Sequence, residues 1–209
     1  MPAGLIAATS NPHKLEEIRA VLTPAVLASR LGAGAVRSLA QAGAGGLPEP
    51  DENADTFAGN AAIKAIYYAR ATGALCLADD SGLIVDALGG APGVRSARYA
   101  GADGSRLERD AANNAKLLRE MLDTPDAART ARFVCAICVA DPTGAVVATS
   151  EGAFEGVIGR APRGANGFGY DPLLVLPDGR TSAELTPEEK NTRSHRGRAL
   201  RALVNQGLG

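Results

Sequence analysis

The chain begins with an apolar run, Leu5-Ile6-Ala7-Ala8-Thr9, followed by the polar stretch Ser10-Asn11-Pro12-His13-Lys14 and then by apolar residues at helical spacing, Leu15, Ile18, Val21 and Leu22. This order predicts a strand, a polar turn and a helix. Pro12 suits the first helical turn, where a missing N–H costs nothing, and Ser10 or Asn11 can cap the exposed amides. The segment from Arg30 to Pro50 is rich in Gly and Ala and offers one short strand near Val36 to Leu39. A helix follows the acidic residues Glu49, Asp51, Glu52 and Asp55, carrying Phe57, Ala61, Ala62, Ala65 and Ala69 on one face with Asp55 or Thr56 as cap. Leu75 to Ala78 reads as a buried strand that ends at Asp79-Asp80-Ser81-Gly82, so two carboxylates sit at a strand exit. A further apolar element spans Ile84 to Leu88, and Gly89-Gly90-Ala91-Pro92-Gly93 forces a turn.

In the second half, a helix is predicted from about Ser105 to Met121, its apolar side made of Leu107, Ala111, Leu117, Leu118 and Met121. Arg132 to Ala140 and Ala145 to Ser150 flank Asp141-Pro142-Thr143-Gly144, the best hairpin signal in the chain, and the second strand can continue through a bend at Gly152. A Gly-rich loop leads to a short strand near Leu173 to Leu176. Thr186 then caps a helix with Pro187 in its first turn, expected to run to about Asn205. Alternating strands and helices with a late hairpin imply an α/β protein with a mixed sheet. No repeat or linker divides the 209 residues, which are expected to form one domain, 1–209.

Charge adds texture rather than a class. The 22 basic and 23 acidic residues nearly cancel, which argues against a broad nucleic-acid surface. No 18-residue apolar run exists, so no membrane span is expected. Of the 22 cations only Lys14, Lys64, Lys116 and Lys190 are lysines. Cys135 and Cys138 have CxxC spacing but lie inside an apolar strand, where residues three apart face opposite sides, and no second ligand pair completes a metal set. With Cys76 they read as buried thiols, and with no secretory leader apparent a reducing cytoplasm is the expected compartment.

Four stretches carry candidate chemistry. Thr9 to Lys14 brings hydroxyls, an amide, helix N-terminal N–H groups and a lysine together for an anion. Asp79-Asp80-Ser81-Gly82 with the acids Glu49 to Asp55 can supply oxygen ligands for Mg²⁺, or a base for water. Gly164-Ala165-Asn166-Gly167-Phe168-Gly169-Tyr170-Asp171-Pro172 holds three glycines and two of the eight aromatic residues and can cover a planar base. Lys190 to Arg198 concentrates cations around His195, without the interleaved aromatics of a single-strand nucleic-acid surface. Each stretch alone also fits an ordinary cap, turn or solvated face.

Taken together, and with Glu17, Asn60, Lys64 and the Gly89 to Tyr99 segment, these stretches resemble the inosine/xanthosine triphosphate pyrophosphatase family over nearly the whole chain. The resemblance implies an elongated two-lobed α/β fold, with a central mixed twisted β-sheet flanked by helices and a substrate cleft between lobes. It implies Mg²⁺-dependent hydrolysis of ITP, dITP, XTP or dXTP to the monophosphate and pyrophosphate, in a homodimer with no nucleic-acid or membrane partner. Asp80 corresponds to the general base and a metal-associated carboxylate. Asp51 falls where the family places a second metal acid, usually glutamate, so Glu52 beside it shares the candidacy. Thr9, Ser10, Asn11, Pro12, His13 and Lys14, with Ser81, Lys190, His195 and Arg196, match the triphosphate- and base-binding set. Phe168, Gly169, Tyr170 and Asp171 match the base pocket. Related enzymes of pyrimidine or modified nucleotides, and a non-catalytic nucleotide binder, are the alternatives.

Overall fold

The computed structural model describes residues 4–22 and 36–206. The start of the Gly- and Ala-rich segment, 30–35, lies outside the described residues. Six strands are hydrogen-bonded in the order β2-β1-β3-β4-β5-β6: β1 (Ile6–Ala7), β2 (Arg37–Ser38), β3 (Cys76–Val85), β4 (Thr130–Ala140), β5 (Val146–Ile158) and β6 (Leu174–Val175). β1 runs parallel to both β2 and β3, whereas β5 and β6 are antiparallel, so the sheet is mixed as the element order implies. Among the described residues five α-helices accompany it: α1 (Pro12–Leu22), α2 (Phe57–Thr72), α3 (Arg106–Glu120), α4 (Pro187–Arg193) and α5 (His195–Asn205).

The chain divides into two compact units, each assembled from separated stretches. The first comprises the described residues up to Asp80, Cys135–Gly152 and those from His195 onward. Strand alternation gives it two cores. Cys76, Ala78 and Cys138 pack with Ala61, Ala65 and Ala69 of α2, while Leu77, Cys135 and Ile137 pack with Ile18 of α1 and Leu200 of α5. The two CxxC thiols therefore enter different cores, as the period of two requires, and all three cysteines are free and buried. The second unit, Ser81–Val134 with Ala153–Ser194, centres on Leu83, Val85, Leu117, Phe133, Phe154 and Leu174.

Local signals set most helix ends. Asn11 Oδ1 accepts from the His13 N–H ahead of Pro12, Thr56 caps α2, and Thr186 forms a capping box with Glu189 around Pro187. Three expectations need correction. The strand read as ending at Ala78 continues through Asp79-Asp80-Ser81-Gly82 to Val85 without a turn. On α3, Leu107 and Ala111 face solvent, and the buried residues are Asn113 and Leu117. Asn113 is admitted because its amide accepts from Ala100 N and donates to Ser96 O and Ala97 O. The last helix is two helices, broken where Ser194 takes an extended conformation (φ −66°, ψ 161°).

Candidate active site

β3 determines how the first unit's polar residues are sorted. Neighbouring strand residues face opposite sides, so Asp79 turns toward α1 and α5 while Asp80 turns toward α2. Asp79 meets Arg196 through Nη2 (2.8 Å) and Nε (3.1 Å), and Lys14 Nζ at 3.1 Å. Arg196 is fully buried and also pairs with Glu17 of α1. Burial by itself pushes the Asp79 carboxyl upward, but Arg196, Lys14 and Lys64 outweigh it and hold the pKa well below the usual carboxylate range. Arg196 is raised in turn: desolvation opposes its charge, and Asp79 and Glu17 more than restore it.

The entry of α5 into this cluster depends on Gly152 in β5. A Cβ there would collide with the His195 carbonyl and lie 2.6 Å from Ala199 N, so only glycine lets the helix start against the strand. Ser150 Oγ, two residues earlier, donates to Ala199 O at 2.8 Å.

On the other face, Asp80 Oδ2 accepts from Asn60 Nδ2 (3.2 Å), and Lys64 Nζ lies 3.7 Å from Oδ1 while donating to Glu52 Oε2 at 2.8 Å. Asn60 and Lys64 stand one turn apart on α2, which places both over the same carboxylate. Burial raises the Asp80 pKa, Glu52 adds to it, and Lys64, Lys14 and the Asn60 bond oppose it. Lys64 itself is raised: burial works against its charge, but Asp80, Asp79 and Glu52 prevail. Of the two candidate acids, Glu52 is joined to Asp80 through the Lys64 ammonium, whereas Asp51 is exposed. Among the described residues no three His, Cys, Asp or Glu side chains form a closed cage. Glu52 and Asp80, gathered around the Lys64 ammonium, are oxygen donors of the kind that would hold a hard divalent ion.

Thr9 to Lys14 forms the β1–α1 junction. Thr9 Oγ1 accepts from Asn11 N, Ser10 Oγ donates to Glu49 Oε1 at 2.6 Å, and Pro12 and His13 are exposed. His195 is buried at the start of α5.

The second unit gathers Phe168 to Asp171 with Lys190. Asp171 is 2% exposed and accepts from Lys190 Nζ (2.6 Å), Ser182 Oγ (2.7 Å) and the Phe168 N–H (2.8 Å). Lys190 Nζ also lies 4.8 Å from the centre of the Phe168 ring, and the Arg106 guanidinium lies 4.5 Å from it. Gly167, at φ +78°, is required twice over: a Cβ would run into the Asp171 carboxylate and lie 2.9 Å from Lys190 Nζ. Tyr170 is buried and donates to Ser96 O at 2.9 Å, a structural bond inside the core. Ser81, next to Asp80 in β3, is half-buried.

The sequence names Asp79 within a candidate stretch and Asn60 and Lys64 within the family resemblance, but gives none of the three a role of its own. Their signal was present as the doubled aspartate and as the i, i+4 pair ahead of the expected core face of α2. Asp110 and Asn114 of α3, which grip Gly169, left no such signal.

A mixed sheet whose third strand presents one carboxylate to a cation cluster and the next to a helix-borne lysine defines an α/β protein with two ionic clusters on opposite faces of one strand. Residues 5–206 match the model of the Ham1 family, and the chain belongs to that family. It is 50% identical over 200 residues to a dITP/XTP pyrophosphatase from Exiguobacterium sp., covering 95% of this chain and 94% of that protein. The dITP/XTP pyrophosphatase of Pseudomonas aeruginosa is 48% identical over 210 residues, covering 98% and 96%. Among solved structures, a HAM1 protein from Coxiella burnetii is 38% identical with a TM-score of 0.82, covering 97% of each chain. A nucleoside-triphosphatase, dITP/XTP pyrophosphatase, from Mycobacterium abscessus is 45% identical with a TM-score of 0.71, covering 96% and 98%.

Proposed function

We propose that the protein hydrolyses deaminated purine nucleoside triphosphates, ITP, dITP, XTP and dXTP, between the α and β phosphates, releasing the nucleoside monophosphate and pyrophosphate. The observation that carries the reading is the partition of Asp79 and Asp80 in β3. Asp79 binds Lys14 and Arg196 in place, whereas Asp80 meets Asn60 and Lys64 of α2, with a pKa raised by burial. A carboxylate shifted toward neutrality is the better proton acceptor near pH 7.

Asp80 orients a water and takes its proton as the oxygen attacks the α phosphorus; the bond to the bridging oxygen breaks, and pyrophosphate leaves with that electron pair. Lys14, Lys190 and the amides at the start of α1 offset phosphate charge, with a hydrogen bond from His195, while the buried Arg196 holds Asp79 beside Lys14. Asp80 and Glu52, with Asp51 as the alternative second acid, would hold Mg²⁺. When bound, Mg²⁺ supplies charge neutralisation on the phosphates and acidifies water. Phe168 stacks on the purine, with Gly169 beside it and Tyr170 and Asp171 holding the loop from the core, and Ser81 lies next to the base catalyst. Selection rests on the 6-oxo edge: adenine presents a donor where the substrate presents an acceptor, leaving a buried pairing unsatisfied. The whole chain, 1–209, is read as one catalytic domain, since neither unit is a continuous stretch. A cytoplasmic homodimer completes the proposal. No described helix is long and apolar enough to cross a membrane.

The test is pyrophosphate against inorganic phosphate release from ITP, XTP, dITP, GTP, ATP and dUTP with Mg²⁺. Pyrophosphate release from ITP, dITP and XTP, abolished in Asp80→Asn, is expected. Release of single phosphates, equal use of ATP, or an unimpaired Asp80→Asn protein would overturn the assignment. Light scattering of the purified protein checks the dimer.

A further inference from the structure

α3 contributes nothing to the residue set carried over from the family, yet one of its stripes is built against the loop proposed to receive the base. Arg106, Asp110 and Asn114 recur every four residues and so share a face. Asp110 Oδ2 accepts from the Gly169 N–H at 2.9 Å, and Asn114 Nδ2 donates to the Gly169 carbonyl at 3.0 Å. Both backbone polar groups of one glycine are thus held by side chains about sixty residues away in sequence. Gly169 sits at φ +62° and would meet nothing within 4 Å if it carried a Cβ, so its backbone conformation, not crowding, is what the clamp holds.

The consequence falls on Phe168. Its own N–H is bound by Asp171, and the peptide N–H that follows it is bound by Asp110. With both flanking amides fixed by carboxylates from different elements, the direction in which the ring leaves the backbone is set. Arg106, 3.8 Å from Asp110 through Nε, lies against the ring itself.

We infer that Asp110 and Asn114 are positioning residues for nucleobase recognition, acting through the Gly169 backbone to set the Phe168 ring. The inference rests on the proposed role of Phe168 in stacking on the purine. Without the clamp, the Gly169 peptides compete for water and the loop samples other conformations. Loss of either hydrogen bond, the one to Asp110 being charge-assisted, then lowers the share of correctly placed rings about tenfold. The cost appears in binding, since Asp80 belongs to a separate cluster.

The experiment uses the full chain in two readouts. In steady-state pyrophosphate release, Asp110→Ala and Asn114→Ala should raise KM for ITP about tenfold with kcat changed less than about twofold. Asp110→Asn, whose amide oxygen still accepts from the same N–H, should stay within about threefold of the parent. In parallel, ¹⁹F spectra of protein labelled with 4-fluorophenylalanine report the four phenylalanines, Phe168 being assigned with Phe168→Leu. Asp110→Ala and Asn114→Ala should displace or broaden the Phe168 signal and leave Phe57, Phe133 and Phe154 in place. An unmoved Phe168 signal in both alanine variants, or Asp110→Asn as impaired as Asp110→Ala, would overturn the clamp. Phe168→Leu with an unchanged KM for ITP would instead remove the stacking role beneath it, while the nucleotide-free spectra still judge the clamp. If Asp110→Ala does not fold, Asn114→Ala and Asp110→Asn carry the same comparison.

Discussion

Replacing Asp79 by Asn removes one negative charge where two cations converge and leaves the shape of the side chain almost unchanged. Arg196 would keep Glu17 and one amide oxygen, and Lys14 would lose its 3.1 Å partner. Breaking a buried ion pair on one side costs about 3–5 kcal/mol, because the surviving charge stays desolvated. Glu17 compensates part of this, so about 3 kcal/mol is expected, a substantial share of the roughly 5–15 kcal/mol that holds a typical protein folded. Urea unfolding followed by circular dichroism should show a lower midpoint with an unchanged slope. The pH dependence has a fixed sign. The folded Asp79 pKa is depressed, so its contribution is complete above the unfolded value of about 3.9 and fades only as pH falls below that toward the folded pKa. The difference between parent and Asp79→Asn should therefore be flat from about pH 5 to 8 and shrink below about pH 4. A loss under about 1 kcal/mol, as for a solvent-exposed pair, would refute the reasoning. So would a cost that simply adds to that of Arg196→Met in the double variant.

Lys64→Met removes the nearby cation that lowers the Asp80 pKa, so the acidic limb of the kcat/KM profile should move up by about one pH unit; no movement would separate Lys64 from the proposed base. Gly167→Ala forces an unfavourable φ and a clash with Asp171 and Lys190, and its KM for ITP should rise at least about tenfold in the same pyrophosphate assay. Burial pushes the Cys135 thiol up to about 12 and Cys138 up to about 11, so Ellman's reagent at pH 8 should label none of the three cysteines before unfolding and all three after. Because these folded pKa values lie above the unfolded value of about 8.5, stability is complete below that pH and falls as pH rises toward 11, which alkaline denaturation curves will show.

The elements legible in the sequence are those specified by neighbours along the chain. Pro12, Thr56 and Thr186 mark helix starts through caps that reach only two or three residues. The Asp141 to Gly144 turn is likewise local, with Gly144 N donating to Asp141 O. Elements specified from a distance were misread. Asp79-Asp80-Ser81-Gly82 has the composition of a turn, and it runs as a strand because Arg196, 117 residues away, neutralises Asp79. Asn113 is buried for a similar reason, its amide completing backbone groups near Ser96 and Ala100. The site followed the same division. The doubled aspartate, Lys14 and Phe168 stand out as motifs, whereas the Asp110 and Asn114 partners of Gly169 emerge only when α3 is folded.

The placement of Asp79 and Asp80 on opposite sides of one strand turns position into parity. From Cys76 to Asp80, the even-numbered residues of β3 are presented to α2 and the odd-numbered ones to α1 and α5. A single inserted or deleted residue ahead of Asp79 would leave the doubled aspartate intact and exchange the faces of its two members, so that Asp80, the proposed base, no longer meets Asn60 and Lys64. Length in this strand is thus as strictly encoded as residue identity, and a two-residue change is the smallest indel that keeps the two faces in phase.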